Sequence, residues 1–342
     1  MPNSCYIIAE VGSNHTTMNG KTKLDKSKEL IDMAADCGAN CVKFQLFKAD
    51  VLYSRNTPKF DYLQDERHII DILEPCELPP VIIPELMTYC ATRDVDFCCT
   101  PFDLAAVDLL EELGIGLFKV ASFNIVDIPL LKRIGESDIP VVLSTGMATH
   151  DEIEEAIDAV GVTKIHHILH CNSQYPTPLD ECNLAAIRQM EETHMLPTGY
   201  SDHTESVLTG AIAVGFGATC LEKHITISKN DQGSPDAAFA LDRNEFAQYV
   251  DSVRAAEKMG GQPYKDGPSA AEEQLYLQAR VSLHAAKDIK AGKILYMEDL
   301  IVKRPGTGLH PRMLEELIGR SLQKDIAADE PITQGHIGDI EC

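Results

Sequence analysis

Two histidines close neighbouring apolar runs of the sequence, where their side chains could share one ligand. His203 ends "TGYSDH" (198–203), and His224 lies in "ATCLEKHI" (218–225). Imidazole is the commonest side-chain ligand of divalent metals, and two imidazoles leave coordination positions open for water and substrate oxygens. These residues predict a divalent metal site best suited to Mn²⁺, with Mg²⁺, Co²⁺ and zinc also compatible. The alternative for each histidine is a structural, hydrogen-bonded role.

Three adjacent ionisable residues, Glu222, Lys223 and His224, interrupt the second of these runs. Burying an unpaired charge is costly, so each of them needs a partner, water or a chemical role. Glu222 is a candidate acid, base or hydroxyl-orienting group, and its alternative is a structural pair with Lys223. Asp202 and Lys223 form a second candidate pair.

Lysines and hydroxyl groups recur at the ends of the other apolar runs. Lys43 and Lys119, together with these hydroxyls, would suit a phosphate and a carboxylate, and the alternative for each lysine is a buried salt bridge. Lys119 is also a candidate Schiff-base lysine of the kind that barrel aldolases use. The hydroxyl-bearing candidates are Thr100, Ser122, Ser144 and Ser201.

The runs that carry these residues have the pattern of buried parallel strands. Each is continuous rather than alternating, and segments of helical pattern, such as 103–114, separate them. The runs are 5–12, 41–45, 96–101, 117–122, 141–146, 166–171, 198–203 and 218–225. Eight strand–helix units over about 220 residues predict an α/β fold, the (β/α)8 TIM barrel. An open doubly wound sheet competes with it, but no GxGxxG follows the first run.

In such a barrel the C-terminal ends of all strands share one mouth, where catalysis takes place. Almost every run has polar residues at this end, which predicts a polar pocket. Further candidates for the pocket are Glu10, Asn14, His15, Gln45, His170, Asn172, Ser173 and Tyr175. His166, His167 and His194 are interpreted as structural or surface residues.

The chain is expected to contain two domains. Residues 1–262 form the predicted barrel, and residues 263–279 are rich in turn formers and charge, which predicts a linker. Residues 280–342 contain short strand-like pieces separated by turns, which predicts a small β-rich module. This module is too small to hold a catalytic core of its own.

The composition argues against several classes of partner. A net charge of −23 disfavours binding to nucleic acid or to anionic membranes, although a local basic pocket can still take a small anion. The N-terminus lacks the basic and apolar regions of a signal peptide, and no run of about 18 apolar residues occurs. The 11 cysteines form no CxxC pair. A reducing, cytoplasmic location is therefore expected.

Nine short motifs occur along the chain: "IIAEVGSNH", "VKFQLFKAD", "CTPFD", "KVAS", "STGMAT", "HCNSQYPTP", "YSDHT", "EKHITIS" and "SPDAAFALD". In this order they resemble the sialic acid synthase family. The tail, "AAKDIKAGKILYMEDLIVKRPGTGLHP", is similar to the C-terminal domain of that family, an antifreeze-like SAF domain with a β-clip fold. The resemblance covers nearly the whole chain.

The resemblance implies a transferase that condenses phosphoenolpyruvate with an N-acetylated amino sugar such as N-acetylmannosamine. The products would be phosphate and N-acetylneuraminate or a close analogue. The metal, usually Mn²⁺, would be held by the positions matching His203 and His224 and would polarise the sugar aldehyde. Glu222 would position water or a sugar hydroxyl. Arg304 would reach from the SAF domain into the site of a partner subunit, which implies a swapped homodimer.

The family also implies a division of the pocket between the two substrates. Asn172, next to Ser173, is expected to bind substrate as well. Positions that match phosphoenolpyruvate ligands are Lys43, Thr100, Lys119, Ser122, Ser144, Ser173 and Ser201. Those that match sugar ligands are Glu10, Tyr175 and Asp236.

The motifs leave the precise sugar open. "ASFNIVDIPLL" and "SPDAAFALD" resemble the pseudaminic acid branch, whereas "YPTP" and "KRPGTG" resemble the sialic and legionaminic branches. The loop "NHTTMNGKTKLDK" is longer than the usual turn of the family. Legionaminic or pseudaminic acid synthesis is therefore the nearest alternative. A Schiff-base aldolase and a non-catalytic barrel that binds ice or carbohydrate are more remote.

Overall fold

The chain divides into two compact units, Met1–Gly261 and Gln262–Cys342. The computed structural model describes residues 4–17, 21–58, 67–261 and 264–337. Within these ranges, no helix has both the length and the apolar character needed to cross a membrane.

The first unit contains eight parallel strands that close into a barrel. Each strand pairs with the next in the chain, and β8 returns to β1 with Glu10 opposite His224. The strands are β1 Tyr6–Glu10, β2 Cys41–Leu46, β3 Asp96–Pro101, β4 Phe118–Val120, β5 Val141–Ser144, β6 Ile165–Cys171, β7 Thr198–Asp202 and β8 Cys220–His224. The predicted (β/α)8 barrel is confirmed.

Helices fill the connections between these strands. Side chains typical of helix N-termini cap two of them: Asp103 caps α5 by accepting a hydrogen bond from the Ala106 N–H, and Thr149 caps α7. The helices are α1 Lys23–Asp36, α2 Ala49–Leu52, α3 Ile69–Leu73, α4 Ile83–Thr92, α5 Leu104–Glu112, α6 Ile128–Gly135, α7 His150–Val160, α8 Ala186–His194, α9 Thr209–Gly215 and α10 Arg243–Gly260.

Alternation along the strands separates an inner layer of side chains from an outer one. An inner apolar cluster consists of Ile8, Cys41, Cys98, Leu117, Val142, Leu169 and Cys220. Two residues further along these strands, the side chain on the same face is polar: Glu10 follows Ile8, Lys43 follows Cys41 and Glu222 follows Cys220. A polar layer at the mouth therefore lies directly above the apolar interior of the barrel.

The second unit has its own small core. Strands β9 Ser282–Ala285 and β10 Leu300–Lys303 form an antiparallel pair, and the short helices are α11 Glu273–Ala279, α12 Leu314–Leu317 and α13 Gln334–Ile337. The buried apolar residues are Leu283, Ala285, Ile289, Leu295, Leu300, Leu317, Leu322, Ile326, Ile332 and Ile337. Helix α11 lies within the segment predicted as a linker.

Candidate active site

A cavity of about 520 Å³ opens at the mouth of the barrel. It is lined by residues from the C-terminal ends of seven strands and from the loops that follow strands, as the barrel topology predicts. The predicted site residues that line it are Glu10, Lys43, Gln45, Lys119, Ser122, Ser144, Tyr175, Ser201, His203, Glu222, His224 and Asp236.

Four buried charged groups form the floor of this cavity. Lys43 Nζ lies 2.8 Å from Glu10 Oε2 and 4.0 Å from Glu222 Oε2. Lys119 Nζ lies 3.6 Å from the same Glu222 oxygen. Ser201 donates a hydrogen bond of 3.0 Å to Glu222 Oε1. Each of these groups therefore has a partner of opposite sign, which offsets part of the cost of burying its charge.

The two carboxyl groups have opposite pKa shifts. Burial raises the pKa of Glu10 to about 7, with the negative charge of Glu222 adding to the effect and Lys43 opposing it. Burial also disfavours charge on Glu222, but Lys119 and Lys43 outweigh it and lower the pKa of Glu222. Divergent pKa values in a pair of carboxyl groups are typical of an acid–base site, with one group able to exchange a proton near neutral pH.

The two lysines also differ. Burial opposes charge on Lys43, but Glu10 and Glu222 outweigh it and raise the pKa of its ammonium. Burial lowers the pKa of Lys119, and Glu222 only partly restores it. The Lys119 amine donates to Ser144 Oγ at 2.6 Å and to the Val120 carbonyl at 2.9 Å.

Small residues lie close to Lys119: Ser122 and Ser144 line the cavity, whereas Gly146 and the predicted ligand Ser173 lie close to Ser122 but are not among the lining residues. The Gly146 N–H donates to Ser122 Oγ at 3.0 Å, and Ser173 Oγ is buried without a hydrogen-bond partner among the described residues. A Cβ on Gly146 would lie only 2.3 Å from Ser173 Oγ and 2.8 Å from Ser122 Oγ. We refer to Ser122, Ser144, Gly146 and Ser173 as the hydroxyl cradle. Its donors suit the oxygens of a phosphate or carboxylate.

His203 and His224 lie together, as predicted, with ring centroids 5.5 Å apart. His203 Nδ1 donates to the Asn172 carbonyl at 2.8 Å, which leaves Nε2 as the ring nitrogen available to a ligand. Burial is the main reason that the pKa of His224 is lowered to about 3, and its Nδ1 is buried without a hydrogen-bond partner among the described residues. Burial opposes charge on His203, but Cys171 and the Asn172 carbonyl outweigh it and raise the pKa of this ring, so an ion bound at its Nε2 would displace a proton.

These two imidazoles fit a divalent ion that completes its coordination with water or substrate oxygens. No third His, Cys, Asp or Glu joins them to make a compact set of three among the described residues. Asp236 Oδ2 lies 3.8 Å from His224 Nδ1, beyond hydrogen-bond distance. Asp236 Oδ2 instead accepts a hydrogen bond of 2.8 Å from the Ser13 N–H. Ser13 also lines the cavity, and the sequence analysis did not select it.

The outer part of the cavity has an aromatic and apolar wall. The Tyr175 ring lies 4.2 Å from the His203 ring, and Phe239 lies 5.0 Å from the His224 ring, between centroids. The other large apolar or aromatic residues of the lining are Phe47, Leu52, Tyr53, Ile69, Ile72, Leu73, Phe102 and Phe123. Most of them come from the connection between β2 and β3, which the sequence analysis did not connect with the site.

Several predicted residues do not line the cavity. Thr100 lies behind Lys43 and accepts a hydrogen bond of 3.2 Å from its ammonium. The Asn172 amide donates to the Glu181 carbonyl at 2.8 Å, so this side chain is engaged within its own loop. Asn14 donates to the Ile225 carbonyl at 2.9 Å and ties the first loop to the end of β8. Arg304 is an exposed residue that follows β10 in the second unit.

Lys223 belongs to the opposite side of the barrel wall from its neighbours. Because strand side chains alternate, Glu222 and His224 enter the cavity while Lys223 faces the outer helices. There its Nζ lies 3.0 Å from Asp202 Oδ2. The predicted Asp202–Lys223 pair is confirmed, and the alternative pairing of Glu222 with Lys223 is wrong.

Known proteins resemble this chain in sequence along most of its length. Residues 30–265 match the NeuB family, and residues 280–338 match the SAF domain. The N,N'-diacetyllegionaminic acid synthase of Campylobacter jejuni is 37% identical over 96% of this chain and 98% of its own length. The N,N'-diacetyllegionaminic acid synthase of Legionella pneumophila is 34% identical over 98% and 95%.

A solved structure gives the same result. The N-acetylneuraminic acid (sialic acid) synthetase of Leptospira borgpetersenii is 31% identical, with a TM-score of 0.71 over 80% of this chain and 90% of that one. The family match covers more than half of the chain, and the relatives match along nearly all of it. The chain is therefore a member of the NeuB family, the nonulosonic acid synthases, with a C-terminal SAF domain.

Proposed function

We propose that this protein condenses phosphoenolpyruvate with an unphosphorylated N-acetylated amino sugar to give a nine-carbon 2-keto acid and phosphate. The observation that supports it best is the floor of the cavity, where two lysines and the hydroxyl cradle lie beside two carboxyl groups of divergent pKa. Cations and hydroxyls would bind phosphoenolpyruvate, and the carboxyl groups would direct protons and water.

Phosphoenolpyruvate would lie with its phosphate in the hydroxyl cradle and its carboxylate near Lys43. With Glu10 protonated, the charged floor carries two ammonium groups against the one carboxylate of Glu222, which favours an anion. Ser173 Oγ, buried without a hydrogen-bond partner among the described residues, would gain one in the phosphate. Binding would therefore satisfy a polar atom that is otherwise unpaired.

In the reaction, C3 of phosphoenolpyruvate forms a bond to the aldehyde carbon, and the aldehyde oxygen takes a proton. Water adds to C2, and the C2–O bond to phosphate breaks to leave the keto group. One proton of this water balances the proton that the aldehyde oxygen takes, and the other leaves with phosphate. Glu10, with a pKa of about 7, would exchange a proton with a sugar oxygen. Glu222, ionised between Lys119 and Lys43, would orient the water. A divalent ion held by His203 and His224 would supply Lewis-acid polarisation of the aldehyde, with Mn²⁺ the expected ion.

The apolar wall favours a particular class of sugar. Within the described residues, the lining contains no lysine or arginine beyond Lys43 and Lys119, and it contains the acids Asp236 and Glu205. A sugar phosphate would therefore find no spare cation among these residues, and the one further cation that we propose for the site is the partner's Arg304. The wall instead suits N-acetyl methyl groups and a deoxygenated chain end. We therefore favour a diacetamido-trideoxy hexose, as the names of the two relatives also suggest, over N-acetylmannosamine, whose extra hydroxyl would need a polar partner.

One observation favours a second candidate reaction, a Schiff-base aldolase. Lys119 is buried in the cavity with a lowered pKa, as a nucleophilic amine requires. Its hydrogen bond to Ser144 and its charge contact with Glu222 instead support a role in binding an anion. Trapping with borohydride separates the two reactions.

The test is formation of 2-keto acid from phosphoenolpyruvate and sugar by protein treated with a chelator, before and after Mn²⁺ is added. We expect activity only with the ion, and loss of both Mn²⁺ binding and activity in H203Q and H224Q. The control H310Q changes an exposed histidine of the second unit and should behave as wild type. Full activity of H224Q without metal would contradict the proposal.

Arg304 is proposed to complete a partner's site, and R304A in a dimer should raise KM for substrate.

A further inference from the structure

A second group of metal-ligating side chains lies outside the cavity, where α7 and α8 meet. His150 is the first residue of α7, Glu154 follows one turn later, and His194 is the last residue of α8. Their ligand atoms all lie within 4.8 Å of one another. In the described part of the chain, no other set of three His, Cys, Asp or Glu residues meets this distance.

The helical repeat explains why these residues meet. On α8, His194 follows the buried residues Ile187 and Met190 at spacings of seven and four, so it continues the face that packs inward. On α7, His150 precedes the buried Ile153 by three residues. A capping box at Thr149 fixes the first turn of α7. The two histidines therefore lie at the edge of a packed surface.

The contacts inside the cluster leave one ring nitrogen of His194 without a partner. His150 Nε2 lies 3.3 Å from Glu154 Oε1, and the two imidazole rings are 4.9 Å apart between centroids. His194 Nε2 is buried and has no hydrogen-bond partner among the described residues. The contact between His150 and Glu154 therefore gives this buried nitrogen of His194 no partner.

We propose that His150, Glu154 and His194 bind one divalent transition-metal ion of the Zn²⁺ class, with water in the remaining position. Two imidazoles and one carboxylate suit Zn²⁺, Co²⁺, Ni²⁺ or Cu²⁺ better than Mg²⁺. His150 and Glu154 are half-exposed or more, so their side chains can close on an ion at bonding distance. The ion would join α7 to α8. Helix α7 follows β5, which carries Ser144, and α8 precedes β7, which carries Ser201, so the ion would link two segments next to strands that line the cavity.

The test counts Zn²⁺ bound to the full chain by equilibrium dialysis after chelation, in wild type, H194Q and E154Q. The matched control is E155Q, which removes the same charge from the neighbouring exposed residue of α7. We expect H194Q to lose one equivalent of Zn²⁺, E154Q to bind that ion roughly tenfold more weakly and E155Q to match wild type. Zn²⁺ should also raise the Tm of wild type more than that of H194Q.

The same count in an H224Q background separates this site from the cavity. The proposal does not rest on the function proposed above, so H224Q should retain the ion at α7 and α8 whether or not His203 and His224 bind metal. Equal Zn²⁺ stoichiometry in H224Q and H224Q/H194Q would overturn the proposal. Weakening by E155Q equal to that by E154Q would also overturn it, because that result would indicate only general attraction to an acidic surface.

Discussion

The buried pair of Lys223 and Asp202 allows a stability prediction to be worked from the structure. The two side chains are 1% and 0% exposed, and their charged atoms are 3.0 Å apart. Lys223 Nζ also donates to the Thr204 carbonyl and lies 5.4 Å from the centroid of the Tyr249 ring. The ammonium is therefore stabilised by protein groups on the outside of the barrel wall.

Lys223→Met keeps most of the side-chain length and removes the charge. At an effective dielectric constant of about 20, two unit charges 3.0 Å apart attract by roughly 5–6 kcal/mol, before desolvation is subtracted. Removing one partner of a buried pair typically costs about 3–5 kcal/mol. Asp202 Oδ1 keeps its hydrogen bond of 2.9 Å from the Thr204 N–H. We therefore expect the lower half of that range, about 3–4 kcal/mol, for the loss in free energy of unfolding.

Urea denaturation of wild type, K223M, D202N and the double variant measures this loss and the coupling between the two residues. We expect a coupling energy of about 2 kcal/mol or more, because the second substitution removes the unpaired charge that the first one leaves. The control is K21M, which breaks the exposed Lys21–Glu29 pair, whose side chains are 55% and 42% exposed. It should cost less than about 1 kcal/mol.

A loss below about 1 kcal/mol in K223M would refute this reasoning. So would equal losses in K223M and K21M, because burial would then make no difference to the value of an ion pair. The result bears on the site as well, since Lys223 and Asp202 join β7 to β8 directly beside His203 and His224.

Three further predictions concern the cavity. The raised pKa of Glu10 means that the folded protein holds this proton more tightly than the unfolded chain, in which the pKa of the group is near 4.5. As the pH rises from 4.5 to 7, wild type should therefore lose up to about 3 kcal/mol of unfolding free energy relative to E10Q. Urea midpoints of the two proteins that change in parallel with pH would contradict this. Gly146→Ala should raise KM for phosphoenolpyruvate roughly tenfold or more, because the new Cβ would crowd Ser173 and Ser122. The control Gly116→Ala, whose Cβ meets nothing within 4 Å, should leave KM unchanged. Equal KM values for the two variants would show that Gly146 is not part of the hydroxyl cradle. Borohydride with substrate should leave Lys119 unmodified, and substrate-dependent trapping that K119R abolishes would favour the aldolase.

Much of the site was predictable because strands repeat every two residues. Once 218–225 is assigned to a strand, Glu222 and His224 must share one face and Lys223 the other. The continuous apolar runs likewise indicated parallel strands, and their late polar residues indicated the mouth. What the sequence pattern did not decide was which of the two faces is the interior. The inner apolar cluster that includes Cys220 answers this question.

Other parts of the site depend on features that residue types do not reveal. Gly146 matters because it lacks a side chain, and only the positions of Ser122 and Ser173 show this. Asn172 has the chemistry of a substrate ligand, but its amide turns to the Glu181 carbonyl. The apolar wall comes largely from the long connection after β2, where short helices give no sustained periodicity. These are outcomes of packing between distant segments.

The most direct test of the proposed chemistry is release of phosphate from phosphoenolpyruvate, measured with Mn²⁺ and each candidate sugar in turn. The sugars are N-acetylmannosamine, its 6-phosphate, and the diacetamido-trideoxy hexoses that lead to legionaminic and pseudaminic acids. We predict sugar-dependent release, with the highest kcat/KM for a diacetamido-trideoxy hexose and the lowest for the 6-phosphate. A preference for the 6-phosphate would contradict the assignment of the apolar wall. No release with any sugar, from folded and metal-loaded protein, would contradict the proposed reaction itself.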